Sequence, residues 1–483
     1  MNIKSIIGSV SRIVAVFGVL MLAPTAVSLL FDESDWAAFL ISAAVTAAAG
    51  IAGTLLSVPR TNGRIGNREG MAITTLGWTA CALFGALPFL LAGSLGTPAD
   101  AVFETMSGLT TTGATVLLDV EAQSHAILFW RSFLHWLGGM GIVVLSIALL
   151  PGLQVGGSQL FRAEVPGPLP DRLEPRIRET ARRLWGIYIL LTVGEAILLR
   201  LFGMPLFDAV IHTFGTVATG GFSTANNSLE AWNSPAIHLT VTAFMFLAGM
   251  NFTLHYRALR GNFKPISKDD ELRTYAGIVL AAVALISLDL VAQAKYSLAD
   301  TLRHSSFQVV SVITTTGFTT VNYDIWPPLS RAILLLLMFI GGCGGSTGGA
   351  IKVVRMNVLA KHSIMELRKA VYPRRVTVVR LNGKAVPEEV SSAVLAFVIL
   401  YLSVFLLSML AMSAMGLDFM SAVGSVAATL GNIGPGFGLV GPASNYSAIP
   451  SVGKWLLSFC MLVGRLEVYT VLSLLVPGFW RKS

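Results

Sequence analysis

Apolar stretches long enough to cross a hydrocarbon layer about 30 Å thick as helices recur along the chain, separated by short polar or basic segments. Residues 13–30 and 36–56 predict a helical hairpin turned by Phe31-Asp32-Glu33-Ser34-Asp35. No small-residue cleavage site follows the first of them, so it reads as a retained helix rather than a signal peptide. A three-part rhythm then sets in: a long apolar segment, a shorter one ending in hydroxyl residues and glycine, and a second long one. The long segments are 74–91 and 126–149, 184–202 and 235–254, 272–291 and 331–340, and 394–415 and 452–475. The intervening runs are too short to span the layer and predict re-entrant segments. Non-helical backbone is tolerated at that depth only where it is buried in protein or lines water.

The re-entrant segments are variants of one another. Aligned on a glycine they are 103–113 (FETMSGLTTTG), 211–221 (IHTFGTVATGG), 307–317 (FQVVSVITTTG) and 424–434 (GSVAATLGNIG). In the second, Gly220 and Gly221 both fit; matching Phe222 to Phe318 without a gap selects Gly221. Six residues before each glycine stands a small residue, Ser107, Gly215, Ser311 or Ala428, and an aspartate, Asp100, Asp208, Asp300 or Asp418, precedes each run. Such an aspartate suits the positive end of a short pore helix. Four half-loops in one chain predict a pseudo-fourfold ring around one conduction path. Its rungs would be backbone carbonyls of Thr111, Thr112, Gly113, Thr219, Gly220, Gly221, Thr315, Thr316, Gly317, Asn432, Ile433 and Gly434, replacing a cation's hydration shell. The fourth filter, Gly431-Asn432-Ile433-Gly434, has no threonine, so one quadrant lacks hydroxyls.

Composition agrees with a polytopic membrane protein: charged residues are 12% of the chain, against about 25% in soluble domains, and the mean hydropathy is +0.71. The net charge of +8 needs no nucleic-acid partner, because 27 of the 34 Lys and Arg fall in alternate polar segments, 4–12, 60–68, 162–183, 257–273, 352–384 and 481–482. The positive-inside bias places these segments, and with them both termini, in the cytoplasm. Cys81, Cys343 and Cys460 lie in or beside apolar segments, which argues against a disulfide framework.

At the four filter copies, and along nearly its whole length, the chain resembles the superfamily of potassium transporters built from four fused membrane-pore-membrane units, and within it the bacterial TrkH/TrkG potassium uptake proteins. The resemblance implies an all-α membrane fold of four M1-pore loop-M2 units in pseudo-fourfold arrangement, preceded by an extra N-terminal transmembrane hairpin. The hairpin would occupy residues 1–70, the first unit 71–160, a linker and the second unit 161–258, the third unit with a gate loop 259–360, and a basic linker with the fourth unit 361–483. It also implies K⁺ as the transported ion, a bacterial inner-membrane location among membrane lipid, a homodimer, and control by a cytosolic TrkA-like nucleotide-binding subunit. The basic linker at 161–185 resembles its TrkH-like counterpart; a positive-inside loop and a docking surface for that subunit both fit. Since the four loops differ from one another, only modest discrimination among K⁺, Rb⁺ and Na⁺ is expected.

The third unit's second span runs into Gly341-Gly342-Cys343-Gly344-Gly345-Ser346-Thr347-Gly348-Gly349-Ala350. Each glycine costs a helix about 1 kcal/mol relative to alanine, so this segment leaves helical form in mid-membrane. A kink for close helix approach is one reading; the TrkH resemblance implies the other, a gate loop beneath the filter involving Gly341, Gly342, Gly344, Gly345, Gly348 and Gly349. Lys352 and Arg355 would follow at the cytoplasmic edge and couple the loop to a partner. Arg465 falls about halfway along the last span, where an unpaired charge is costly. The resemblance implies that it projects into the pore below the filter as a barrier to cations; a structural ion pair with Glu195 or Asp289 is the alternative.

Other chemistry finds less support. No GxxxxGK[ST] is present, and the GxGxxG match at 436–441 directly follows the fourth filter. His135, His212 and His304 show no metal-ligand spacing or nucleophile motif, and His135 reads as a packing residue, so the chain is not expected to be an enzyme. A K⁺ symporter coupled to H⁺ or Na⁺ would want a carboxylate relay beside the filter, and Glu104, Glu195 and Asp289 form no evident one. Glu195 reads as a paired structural group.

Overall fold

A computed structural model describes residues 2–57, 66–141, 177–373 and 378–481. Among them, six helices are long and apolar enough to cross a membrane: Ile3–Leu30, Trp36–Leu56, Asn67–Leu91, Ala181–Leu201, Asp270–Ala292 and Glu388–Ala414. These are the N-terminal hairpin and the outer helix of each of the four units. The first begins at Ile3 rather than at residue 13, because Asn2 caps it by accepting from the Ser5 amide. The hairpin closes on small residues: a Cβ at Gly50 would stand 2.4 Å from the Ala15 nitrogen, and one at Gly18 would stand 2.6 Å from that of Ala47. Close backbone approach of this kind is how membrane helices pack without a hydrophobic driving force between them.

Each outer helix is followed by a short pore helix: Pro98–Leu109, Leu206–Val217, Leu298–Ile313 and Phe419–Leu430. Thr97, Ser297 and Asp418 cap three of them through their side chains, while Pro205 starts the other. Asp100, Asp208 and Asp300 therefore sit inside the first turn, whereas Asp418 is itself the cap. Both placements put a carboxylate against the positive helix end.

The inner helices, except the third, are shorter than their apolar runs. They span His125–Gly139, Pro235–Ala248, Pro328–Leu337 and Ser451–Leu466. An unbroken second and fourth inner span, expected over 235–254 and 452–475, is not what forms. The second turns by 103° into Phe252–Leu259, and the fourth by 117° into the segment from Val468 to Leu475. At the first turn, Asn251 caps the new helix by accepting from the Thr253 amide at 2.8 Å; at the second, Glu467 takes a φ of 65°. In the first unit the helix stops at Gly139; the remainder of the expected span, 142–149, and most of the basic linker lie outside the described residues. The all-α expectation needs one amendment. Arg380–Leu381 and Lys384–Ala385 form a small antiparallel hairpin turned by Asn382 and Gly383, both at positive φ, as an Asn-Gly turn requires.

Candidate ion-conduction site

All four pore helices end in the same way. The next residue but one, Thr111, Thr219, Thr315 or Asn432, takes a left-handed φ of 53°, 56°, 58° or 55°. Its amide bonds back three residues, and the amide after it bonds back five: Thr112 to Ser107, Gly220 to Gly215, Thr316 to Ser311 and Ile433 to Ala428, at 2.7–2.8 Å. This is a Schellman motif. It gives a reason for the small residue six before each glycine, whose carbonyl must be reached by a chain folding tightly back over it. Left-handed backbone is unusual for a β-branched residue, and nothing in a threonine announces it. The glycines Gly113, Gly221, Gly317 and Gly434 follow at φ 80°, 80°, 83° and 100°.

These glycines face one another in chain order. A Cβ at Gly113 would lie 2.1 Å from the Gly220 carbonyl oxygen, one at Gly221 2.1 Å from that of Thr316, one at Gly317 1.8 Å from that of Ile433, and one at Gly434 2.6 Å from that of Thr112. Each half-loop thus abuts the next, and the fourth closes on the first. Hydroxyls are replaced in the fourth quadrant by an amide: Asn432 Nδ2 donates to Thr112 Oγ1 at 3.0 Å and to the Met461 carbonyl at 2.9 Å. Outside the ring, Asn226 bridges the first two units by donating to Asp119 and accepting from the Val120 amide. Its amide is the main influence holding the exposed Asp119 carboxyl below the ordinary carboxylate range.

Beneath the ring lies the glycine-rich segment, running as non-helical backbone and turns from Met338 to Lys352 between the helices Pro328–Leu337 and Val353–Val371. Gly349 donates its amide to Thr315 Oγ1 at 2.6 Å, and a Cβ there would come within 2.4 Å of the Gly431 carbonyl oxygen. Thr347 Oγ1 donates to the carbonyl of Val217 at 3.1 Å, at the end of the second pore helix. The break in the second inner helix anchors the other side, with Cys343 donating to Gly249 and Phe252 donating to Gly345. The middle of the segment and the start of the helix after it converge on one buried carboxylate: Glu271 Oε1 accepts from the Gly344 amide at 2.6 Å and the Val354 amide at 2.9 Å. Sequence reasoning passed over Glu271, since Asp269-Asp270-Glu271 has the look of an ordinary acidic helix start.

Arg465 crosses the same space. Its guanidinium donates to the Thr347 carbonyl on the segment, and to those of Gly138 and Gly139 at 2.7 and 2.9 Å. The side chain is a strut between three units rather than a bare charge in the pore. Asp289 serves Ser330 instead, and Glu195 is buried on the second unit's outer helix. Lys352 and Arg355, which follow the segment, are both buried. Lys352 donates to the Gly348 carbonyl, and Arg355 pairs with Glu467 while stacking over Phe397. His135 packs flat on Phe222 with ring centroids 4.2 Å apart.

The TrkH family model, described as a cation transport protein, matches residues 40–480. The chain is 45% identical to the Trk system potassium uptake protein TrkH of Salmonella typhimurium and 44% identical to that of Escherichia coli K12, over the whole of both chains in each case. It is 36% identical to the Escherichia coli TrkG protein over 97% of each chain. The crystal structure of the potassium transporter TrkH from Vibrio parahaemolyticus superposes with a TM-score of 0.90 at 40% identity, covering both chains completely. A broken-helix membrane fold with four matching half-loops, found in a chain this similar over its full length, belongs to the TrkH family of cation transport proteins.

Proposed function

We propose that the chain takes up K⁺ across the bacterial inner membrane through a gated, channel-like path. The observation that carries this reading is the ring in which every filter glycine abuts the preceding residue's carbonyl of the next half-loop. Main-chain oxygens at 111–113, 219–221, 315–317 and 432–434 would replace the ion's hydration shell. The carbonyl ends of the four pore helices lead into the ring and favour a cation there. The glycine-rich segment at 341–350 is the gate, and Arg465 holds it against the first and fourth units.

Family membership supports the remaining assignments: both termini in the cytoplasm, a homodimer in the lipid, and a cytosolic TrkA-like nucleotide-binding subunit acting on the gate. A symporter with a carboxylate relay is disfavoured, since Glu104, Glu195 and Asp289 sit in three separate surroundings. Ion competition in proteoliposomes tests the filter. Wild type should prefer K⁺ to Na⁺, and Gly113→Ser should lose that preference; equal uptake of the two ions in wild type, with no change in the variant, would contradict the reading.

A further inference from the structure

Nine residues before each filter glycine, the pore helix carries Glu104, His212, Gln308 or Ser425. In three units this side chain reaches over the loop to the outer limb, two or three residues past the glycine. Glu104 accepts from Thr115 Oγ1 and from the Val116 amide, both at 2.9 Å. His212 Nε2 meets Ser223 Oγ at 2.9 Å, and Gln308 Nε2 reaches Thr320 Oγ1 at 3.4 Å. Ser425 bonds within its own helix; in that unit Tyr446 donates to the Gly434 carbonyl at 2.7 Å instead.

The first unit differs in chemistry. Glu104 is 0% exposed and pairs with Arg131, 2% exposed, at 2.7 Å. Arg131 stands on the first inner helix and also donates to Thr115 Oγ1 at 3.1 Å and to the Ser223 carbonyl at 3.4 Å, with its guanidinium 4.1 Å from the Phe222 ring centre. Thr115 belongs to the first loop, and Phe222 and Ser223 to the second. Well-packed apolar side chains would fill such a site without the desolvation that a buried ion pair demands. A planar fork with several fixed donors does what they cannot: it holds a hydroxyl of the first loop and a backbone carbonyl of the second at a set distance.

We propose that Glu104 and Arg131 are a positioning pair that sets ion discrimination by fixing, from behind, the spacing between the first and second filter loops. The proposal rests on the filter reading above. Neither residue is offered as an ion ligand; both act through the backbone they hold, and fractions of an ångström matter in a preorganised site.

The test uses the full chain in proteoliposomes, reading K⁺ against Na⁺ as competitors of Rb⁺ uptake, with elution as a single folded species as the control. Arg131→Met removes the fork at similar bulk, Arg131→Lys restores the charge, and Thr115→Val removes the shared hydroxyl with little change of volume, so it remains informative where a buried-charge variant does not fold. The K⁺ preference should fall severalfold in Arg131→Met and Thr115→Val and recover in part in Arg131→Lys. An unchanged preference in folded Thr115→Val, or in folded Arg131→Met, overturns the proposal. Gly113→Ser in the same assay separates the two claims. Loss of preference there, with none in the bracing variants, sinks the brace alone, whereas no loss in any variant sinks the filter reading itself.

Discussion

At the scale of single residues, two kinds of side-chain demand recur around the proposed pore. One is the absence of a side chain. Gly317 combines a φ of 83° with a Cβ position 1.8 Å from the Ile433 carbonyl oxygen, so even alanine must push two quadrants apart. Gly317→Ala is expected to abolish K⁺-selective uptake while leaving the protein in the membrane, as read by uptake normalised to expression. The other demand is an acceptor in the right place. Glu271→Ala would strip two buried amides, those of Gly344 and Val354, of their shared partner, at about 1–3 kcal/mol for each unsatisfied group. The held conformation of the segment should then weaken and K⁺ flux rise, a change measurable as faster Rb⁺ uptake at equal expression. Arg465→Ala should act in the same direction, since it releases the Thr347 carbonyl from the same segment. Flux no faster than wild type in both variants would remove the segment from its role as the gate.

Among the elements, the long helices and the re-entrant loops were legible from apolar run length alone, and the alignment on glycine placed the four half-loops in equivalent surroundings. The breaks were not equally legible. The third inner span advertises its break with six glycines in ten residues; the second and fourth turn at Gly249-Met250-Asn251 and at Glu467, where one or two polar or charged residues interrupt an apolar run that then resumes, a mark too brief to announce a bend. Arg465 was found by its cost in a membrane, but its partners are main-chain carbonyls, which no sequence pattern displays. Thr111, Thr219 and Thr315 likewise hide a left-handed backbone that tertiary packing imposes. The small β-hairpin did carry its signal in Asn382-Gly383, within a stretch that stands out in the sequence for its basic charge. The N-terminal hairpin gives an element-scale prediction. Gly50→Leu forces a side chain into the Ala15 backbone, and overpacking of this sort costs about 1–3 kcal/mol, so the thermal midpoint in detergent should drop. Because the hairpin contributes no filter loop, the K⁺ preference of the surviving protein should match wild type.

For the whole molecule, the four half-loops abut one another in chain order, and they differ from one another in their filter residues and in how each is braced. A channel-like path of this kind predicts a reversal potential that follows the K⁺ gradient and does not move with pH; a potential that shifts with the proton gradient would instead require coupling. The most direct measurement is a crystal structure of the protein soaked with Tl⁺, a heavy stand-in for K⁺, with the ion located by its anomalous signal. Tl⁺ held inside the ring of Gly113, Gly221, Gly317 and Gly434 is the predicted result. Tl⁺ bound elsewhere in the membrane region, with that ring empty, would contradict it.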